Sequence, residues 1–230
     1  MDMGNLLTFQ FPDCSHRAPE LRELGLVTGM RRGGVVLYEE MGLGVAEAAA
    51  DWESDTVRGW AAMAIGHAPE LSLAQRLELL RPFGGDAHFA VREWAWLSAR
   101  PHVVEAPETA LELLQPWTTE ESPNLRRFAS EVTRPRGVWS THIPLLKLQP
   151  ERALGLLTAL RADPSRYVQD SVANWLNDAS KTRPGWVEDV RDSWLAGTPS
   201  ESTTRICRRA CRSLARASRA RAPESLPLAP

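Results

Sequence analysis

The sequence predicts an all-α protein, an α-solenoid of about five or six stacked helix pairs. Three observations carry this. The stretches "DTVRGWAAMAIGHAP" from Asp55, "FAVREWAWLSARP" from Phe89, "PNLRRFASEVTRP" from Pro123 and "RYVQDSVANWLNDASKTRP" from Arg166 align with one another, and "TRICRRACRSLAR" from Thr204 aligns more weakly. Their anchors, Val57, Val91, Leu125, Val168 and Ile206, stand 34, 34, 43 and 38 residues apart, a period at which helix pairs repeat. Between them lie partner segments with leucines at helical spacing, "LSLAQRLELLRP", "APETALELLQPW" and "PERALGLLTALRA".

The elements follow in chain order. The start, "MDMGNLLTFQF", has no basic segment before an apolar one, so it does not read as a secretory signal. "GGVVLYEE" is the one stretch that reads as a possible strand. In each aligned helix a small residue recurs four places after the anchor: Ala61, Ala95, Ala129, Val172 and Ala210. In the first three, Arg follows the anchor and an aromatic stands third after it: Trp60, Trp94 and Phe128. Pro69, Pro101, Pro135 and Pro184 fall near the ends of aligned helices, where proline cannot continue a helix. Ser122-Pro123 and Asp163-Pro164 read as N-caps followed by first-turn prolines. Thr198-Pro199-Ser200-Glu201 has capping-box spacing. Residues 1–221 are expected to form a single domain, and the Pro-rich residues 222–230 a disordered tail.

Composition narrows the function classes. The chain has 230 residues and a formal net charge of −2, so any nucleic-acid signal has to be local. Only Lys147 and Lys181 are lysines; the remaining basic residues are arginines, whose planar donor fork suits phosphate. Coding bias would give the same excess. The cysteines, Cys14, Cys207 and Cys211, give no disulfide framework. His67, His88, His102 and His142 share no ligand spacing, so neither a metal nor another cofactor is expected. No apolar run is long enough to span a bilayer, and the expectation is a cytoplasmic, monomeric protein.

The candidate site lies where the repeat pattern breaks. Glu131 stands six residues after its anchor, in a slot filled by Met63, Leu97, Asn174 and Arg212 in the sister helices. Asp178 stands ten after its anchor, matching His67, Pro101 and Pro135. Both acids are expected on the concave face, where solenoids bind their partners. "ASEVTRPRGVW" adds Arg134, Arg136 and Trp139 to Glu131 within one short stretch.

Residues Trp52 to Trp194 resemble the DNA alkylation-repair glycosylases built from HEAT-like repeats, the AlkC/AlkD superfamily, and are most similar to its AlkC branch. The stretches that carry the resemblance are "FAVREWAWLSARPH", "RRFASEVTRPRGVW" and "YVQDSVANWLNDASKTRPGWV". The resemblance implies a curved array holding duplex DNA in its concave channel and removing cationic N3- or N7-alkylated purines. It implies that Glu131, Asp178 and Trp139 match the active-site acids and aromatic, with Glu93 and Trp96 in a further matching motif. The chain departs from the branch pattern at Val132, where Gly is common, and at Arg136-Gly137-Val138-Trp139, where the pattern reads Arg-Leu-Pro-Trp. The expected relative lacks the C-terminal immunoglobulin-like domain that some AlkC proteins carry.

The residue types fit that chemistry. A cationic alkylpurine is already a good leaving group. As the glycosidic bond breaks, positive charge develops on the sugar, and a fixed carboxylate stabilises it. An indole face attracts the same cation. Arg134 and Arg136 are expected to hold flanking phosphates, with Asn174, Asn177 and Lys181 as further backbone contacts. Plainer roles fit the same residues: Glu131 has helical spacing to Arg134, Asp178 can cap its helix or pair with Lys181, and Trp96 and Trp175 suit a core. Two other functions share the pattern. One is a relative specialised for bulky, toxin-derived purine adducts; the other is a catalytically silent module that binds DNA or protein.

Overall fold

The computed structural model describes residues 2–49, 52–137 and 139–215. Among them there is no strand. The α-helices are α1 (Met3–Gln10), α2 (Leu26–Met41), α3 (Gly44–Ala49), α4 (Asp55–His67), α5 (Leu73–Gly85), α6 (Phe89–Glu105) and α7 (Pro107–Leu114), followed by α8 (Pro123–Val132), α9 (Pro144–Leu148), α10 (Leu154–Leu160), α11 (Arg166–Ala179), α12 (Pro184–Leu195) and α13 (Glu201–Ala210). Helices α2, α4, α6, α8, α11 and α13 touch in succession and form one layer, while α3, α5, α7, α10 and α12 pack against them as partners. This is the expected α-solenoid. No helix among the described residues is long and apolar enough to cross a membrane. The 222–230 tail lies outside the described residues.

The alignment anchors are its structural axis. Val57, Val91, Val168 and Ile206 are fully buried and Leu125 nearly so, as are Ala61, Ala95, Ala129, Val172 and Ala210 one turn later. Small residues there let successive helices approach, and the aromatics beside them fill the space between layers: Trp60, Trp117, Phe128 and Trp175 are among the largest fully buried side chains.

The residue after each anchor holds the repeat together. Arg58 donates to the carbonyls of Trp52 and Glu53, Arg92 to Asp86 and Ala87, and Arg126 to Glu120 and Glu121. Gln169 makes the same reach to Asp163 and Pro164. Each side chain therefore ties down the loop that enters its own helix. Arg58 and Arg126 also clamp Asp86 and Asp163 in the next inter-repeat loop, at 2.7 and 2.6 Å. The repeated arginine is thus a scaffold residue.

Four local expectations are corrected. "GGVVLYEE" lies in α2, because Gly33 and Gly34 face α4 so closely that a Cβ at either would collide with Trp60 or Met63. The helix-period contact with α4 outweighs the β-branched pair. Asp163 does not cap α11; Ser165 occupies the N-cap position, and Asp163 accepts its N–H at 2.8 Å. The cap of α13 is Ser200, not Thr198, and it accepts from Thr203 N–H. Helix α6 runs through Pro101 to Glu105. The flanking Arg100 and His102 are fixed by side-chain bonds to neighbouring backbone, which offset the hydrogen bond the proline lacks.

Candidate active site

The site forms where α8 ends. Thr133 closes the helix, its hydroxyl donating to the Ala129 and Ser130 carbonyls. The chain then crosses toward α9 in a loop fixed from below by buried Arg100. That guanidinium donates to the carbonyls of Val132 (2.5 Å), Arg134 (2.6 Å) and Thr141 (3.0 Å). Burial lowers the Arg100 pKa to about 10, so it remains charged at neutral pH. Trp175 supports the same turn from α11, its indole N–H donating to the Thr133 carbonyl at 3.0 Å. Trp139, farther along the loop, has a φ of 62°, the left-handed region that side chains rarely adopt.

A chain of charges crosses the helix ends. Arg134 donates to Glu131 Oε1 at 2.7 Å and to Asp178 Oδ2 from two nitrogens, at 2.9 and 2.7 Å. Lys181 closes on the other Asp178 oxygen at 2.9 Å. On the far side, Arg127 stands 3.5 Å from Glu131 Oε2 and 2.6 Å from Glu93 Oε1. Glu93 accepts the Trp96 indole N–H at 2.8 Å. Ser171 donates to Glu131 Oε2 at 2.6 Å and accepts from Ser130. Glu131 and Asp178 are both buried. Burial works to raise the Glu131 pKa, but Arg127 and Arg134 together overcome it and hold the carboxyl below its usual range. The site therefore presents an ionised glutamate whose oxygens are fixed in direction.

Above this network opens a cleft of about 1050 Å³. Glu93, Arg127, Glu131 and Arg134 line its floor, and Tyr167, Asp170, Ser171 and Asn174 line the α11 side. Leu26, Phe89, Trp94, Trp96 and Trp139 supply apolar walls. Leu26, Phe89 and Trp139 are strongly exposed, Trp139 at 76%. Tyr167 holds Arg127 against its ring face, 4.6 Å from the centroid, with Arg92 at 5.1 Å.

The structure sorts the expected residues. It brings Glu93, Trp96, Glu131, Trp139 and Asn174 to one cleft. Asp178 is not among the lining residues and joins the site through Arg134. Arg134, expected at a phosphate, has its guanidinium largely buried between two carboxylates. Asn177 is buried, with its amide donating to the Ala210 carbonyl, which ties α11 to α13. Arg136 meets no carboxylate among the described residues, and its Nε has no hydrogen-bond partner. Lys181 is half-exposed at Asp178. Arg205 and Arg209 of α13 pair with Asp170.

Sequence reasoning missed Arg127, Ser171, Tyr167 and Arg100. Arg127 follows the repeated arginine, at a place that α4, α6 and α11 fill with Gly59, Glu93 and Asp170, so the repeat pattern did not mark it. Ser171 and Tyr167 come from another repeat and meet Glu131 and Arg127 only on folding. Among the described residues no group of His, Cys, Asp and Glu is arranged to hold a metal ion. Cys207 is buried, and burial pushes its thiol up to about 11.

Comparison with known proteins agrees with this architecture. The solved structure of the Pseudomonas fluorescens alkylpurine DNA glycosylase AlkC, bound to DNA containing an abasic site analogue, superposes with a TM-score of 0.74 at 24% identity, over 93% of this chain and 61% of that one. AlkD2 from Streptococcus mutans superposes with a TM-score of 0.70 at 23% identity, over 91% of this chain and 98% of that one. Among curated proteins, the uncharacterized protein YhaZ of Bacillus subtilis (strain 168) is 33% identical over 187 residues. That match covers 80% of this chain and 51% of YhaZ, so the chain spans about half the length of this relative. The family model for DNA alkylation repair enzymes matches residues 85–214, which hold every charged residue of the network described above. The chain belongs to the DNA alkylation repair enzyme family.

Proposed function

We propose that the protein is a DNA glycosylase that hydrolyses the N-glycosidic bond of cationic N3- or N7-alkylated purines in duplex DNA. The observation that carries this is the buried, ionised Glu131 on the floor of an aromatic-walled cleft. The alkylated base needs little protonation to leave, so the work falls on the sugar. Glu131, locked by Arg134, Arg127 and Ser171, is a preorganised negative charge for the oxocarbenium that forms as the C1′–N bond breaks. Asp178 acts with it by fixing Arg134. Glu93, more exposed than Glu131, offers a second carboxylate to the cation or to the water that adds at C1′. Trp139 brings an indole face to the positively charged base, and the buried Trp96 orients Glu93 through its indole N–H. Arg136, which meets no carboxylate among the described residues, is the phosphate ligand of this loop.

Formal charges in the network balance, since Arg127, Arg134 and Lys181 face Glu93, Glu131 and Asp178. The cleft therefore attracts a cation by local placement of its carboxylates, not by excess charge. A second reading keeps the chemistry and enlarges the lesion: exposed Leu26, Phe89 and Trp139 on the walls favour a bulky, apolar adduct.

The test is single-turnover release of 3-methyladenine, 7-methylguanine and a bulky purine adduct by the parent, Glu131→Gln and Asp178→Asn. Each variant should lose at least about a hundredfold in rate, the scale of one electrostatic contact in a transition state, with little change in DNA affinity. Parental rates in both would remove the assignment. Adduct size then separates the two readings.

A further inference from the structure

Most arginines that could meet a phosphate are already spent. Arg58, Arg126, Arg127, Arg134, Arg205 and Arg209 all pair with carboxylates. Arg31 does not. It is exposed on α2, meets no carboxylate among the described residues, and lines both the main cleft and a second groove of about 230 Å³. Leu97 is the other residue common to the two, so the groove continues the cleft. The second groove is lined further by Val35, Met63, Gly66, His67, Ser98 and Pro101.

Its place in the repeat is informative. Met63 and Leu97 occupy the slot that Glu131 fills, and His67 and Pro101 the slot that Asp178 fills. The groove is thus the counterpart of the acid site two repeats earlier, on the same strip of the helix layer. At the two slots where α8 and α11 carry Glu131 and Asp178, α4 carries Met63 and His67 and α6 carries Leu97 and Pro101, and Arg31 lines the same groove with the exposed His67 imidazole. A polyanion lying along this strip meets a charge-balanced network at the acid pair, and here a cation that faces no carboxylate among the described residues.

We propose that Arg31, with the His67 imidazole as a hydrogen-bond donor, forms a phosphodiester-binding site for the DNA backbone on the α2–α4 side of the lesion. This rests on the glycosylase reading above. The spacing is set by the fold. Helices α8, α6 and α4 are in successive contact. Packed helices lie about 8–10 Å apart, so two steps cover about 16–20 Å. At 3.4 Å per base pair that is about five or six base pairs from the lesion. The contact is to a phosphate, so it sets register without reading sequence.

The test is binding to a duplex with a central abasic-site analogue, measured by fluorescence anisotropy over a range of salt, for the parent and Arg31→Gln. The variant should bind several-fold more weakly at low salt, with a log–log salt slope smaller by about one. A neutral methylphosphonate walked along each strand should weaken the parent when it stands about five or six nucleotides from the lesion on one side, and should leave Arg31→Gln unaffected there. Because Arg31 is exposed and meets no carboxylate among the described residues, the melting temperature should not change. Equal affinity and slope in the two proteins, or the same methylphosphonate penalties in both, would overturn the site. If the parent excises alkylpurines and Arg31→Gln binds as it does, this inference alone fails; if the parent does not bind DNA, the glycosylase reading fails with it.

Discussion

Arg134 stands between Glu131 and Asp178, its Nη1 2.7 Å from Glu131 Oε1 and its Nη2 2.7 Å from Asp178 Oδ2. One guanidinium therefore serves two carboxylates that are 5% and 4% exposed. Lys181 also meets Asp178, and Arg127 also faces Glu131, but only the planar fork of Arg134 reaches both acids. Removing the cation leaves two buried charges short of a partner, a loss of about 3–5 kcal/mol. Arg134→Ala should accordingly lower the melting temperature strongly. The triple change Arg134→Met, Glu131→Gln and Asp178→Asn should recover much of the loss while leaving excision abolished. In Arg134→Lys, one ammonium cannot satisfy both acids, and partial loss of stability is expected. An Arg134→Ala protein as stable as the parent would show that the ion pairs contribute little.

Acidification should act through the same network. Burial works to raise the Glu131 pKa, and Arg127 and Arg134 lower it further than burial raises it. The folded protein therefore binds this proton more weakly than the unfolded chain, whose carboxyl titrates near 4.5. Stability from the ionised Glu131 is fully present well above that value. It is lost as the pH falls through the carboxylate range, because the unfolded chain takes up the proton first. Thermal melts from neutral pH down to below 4.5 should show the parent losing stability more steeply than Glu131→Gln, with excision falling at the acid end as Glu131 is protonated. Parallel curves for the two proteins would contradict this.

The fold was legible because its signals are local and repeated. The anchors Val57, Val91, Leu125, Val168 and Ile206 mark a buried stripe that any alignment of the chain with itself exposes. Glu131 was legible for the converse reason, as a carboxylate in a slot that Met63 and Leu97 show to be apolar. What the sequence hid is the use of each charge. Arg126 and Arg127 are neighbours of the same type, yet Arg126 braces a loop and clamps Asp163 while Arg127 turns to Glu93 and Glu131. Arg134 and Arg136 differ as much, the first consumed by two acids and the second meeting none among the described residues. Pairings across 40 or more residues, such as Ser171 with Glu131 and Arg134 with Asp178, depend on how repeats stack, which spacing alone does not reveal.

Trp139 separates stability from activity at one position. Its φ of 62° is a backbone state that glycine adopts freely and other residues adopt at a cost of about 1–2 kcal/mol. Its side chain recovers little of that by burial, being 76% exposed. A strained, exposed indole on the wall of a cleft is held for what it touches, not for what it packs against. Trp139→Gly removes the strain, while the unfolded chain gains about 0.5–1 kcal/mol of conformational entropy. The melting temperature should therefore stay level or rise slightly. Trp139→Ala keeps the strain and should be no more stable than the parent. Excision should fall in both, because each loses the aromatic face, worth about 0.5–2 kcal/mol toward a cation. That corresponds to roughly two- to thirtyfold in rate, less than the loss in Glu131→Gln. The measurements are a thermal melt and single-turnover release of 7-methylguanine for the three proteins. Parental excision by Trp139→Gly would show that the indole takes no part in the reaction, and a large drop in its melting temperature would show that the loop depends on Trp139 for its fold.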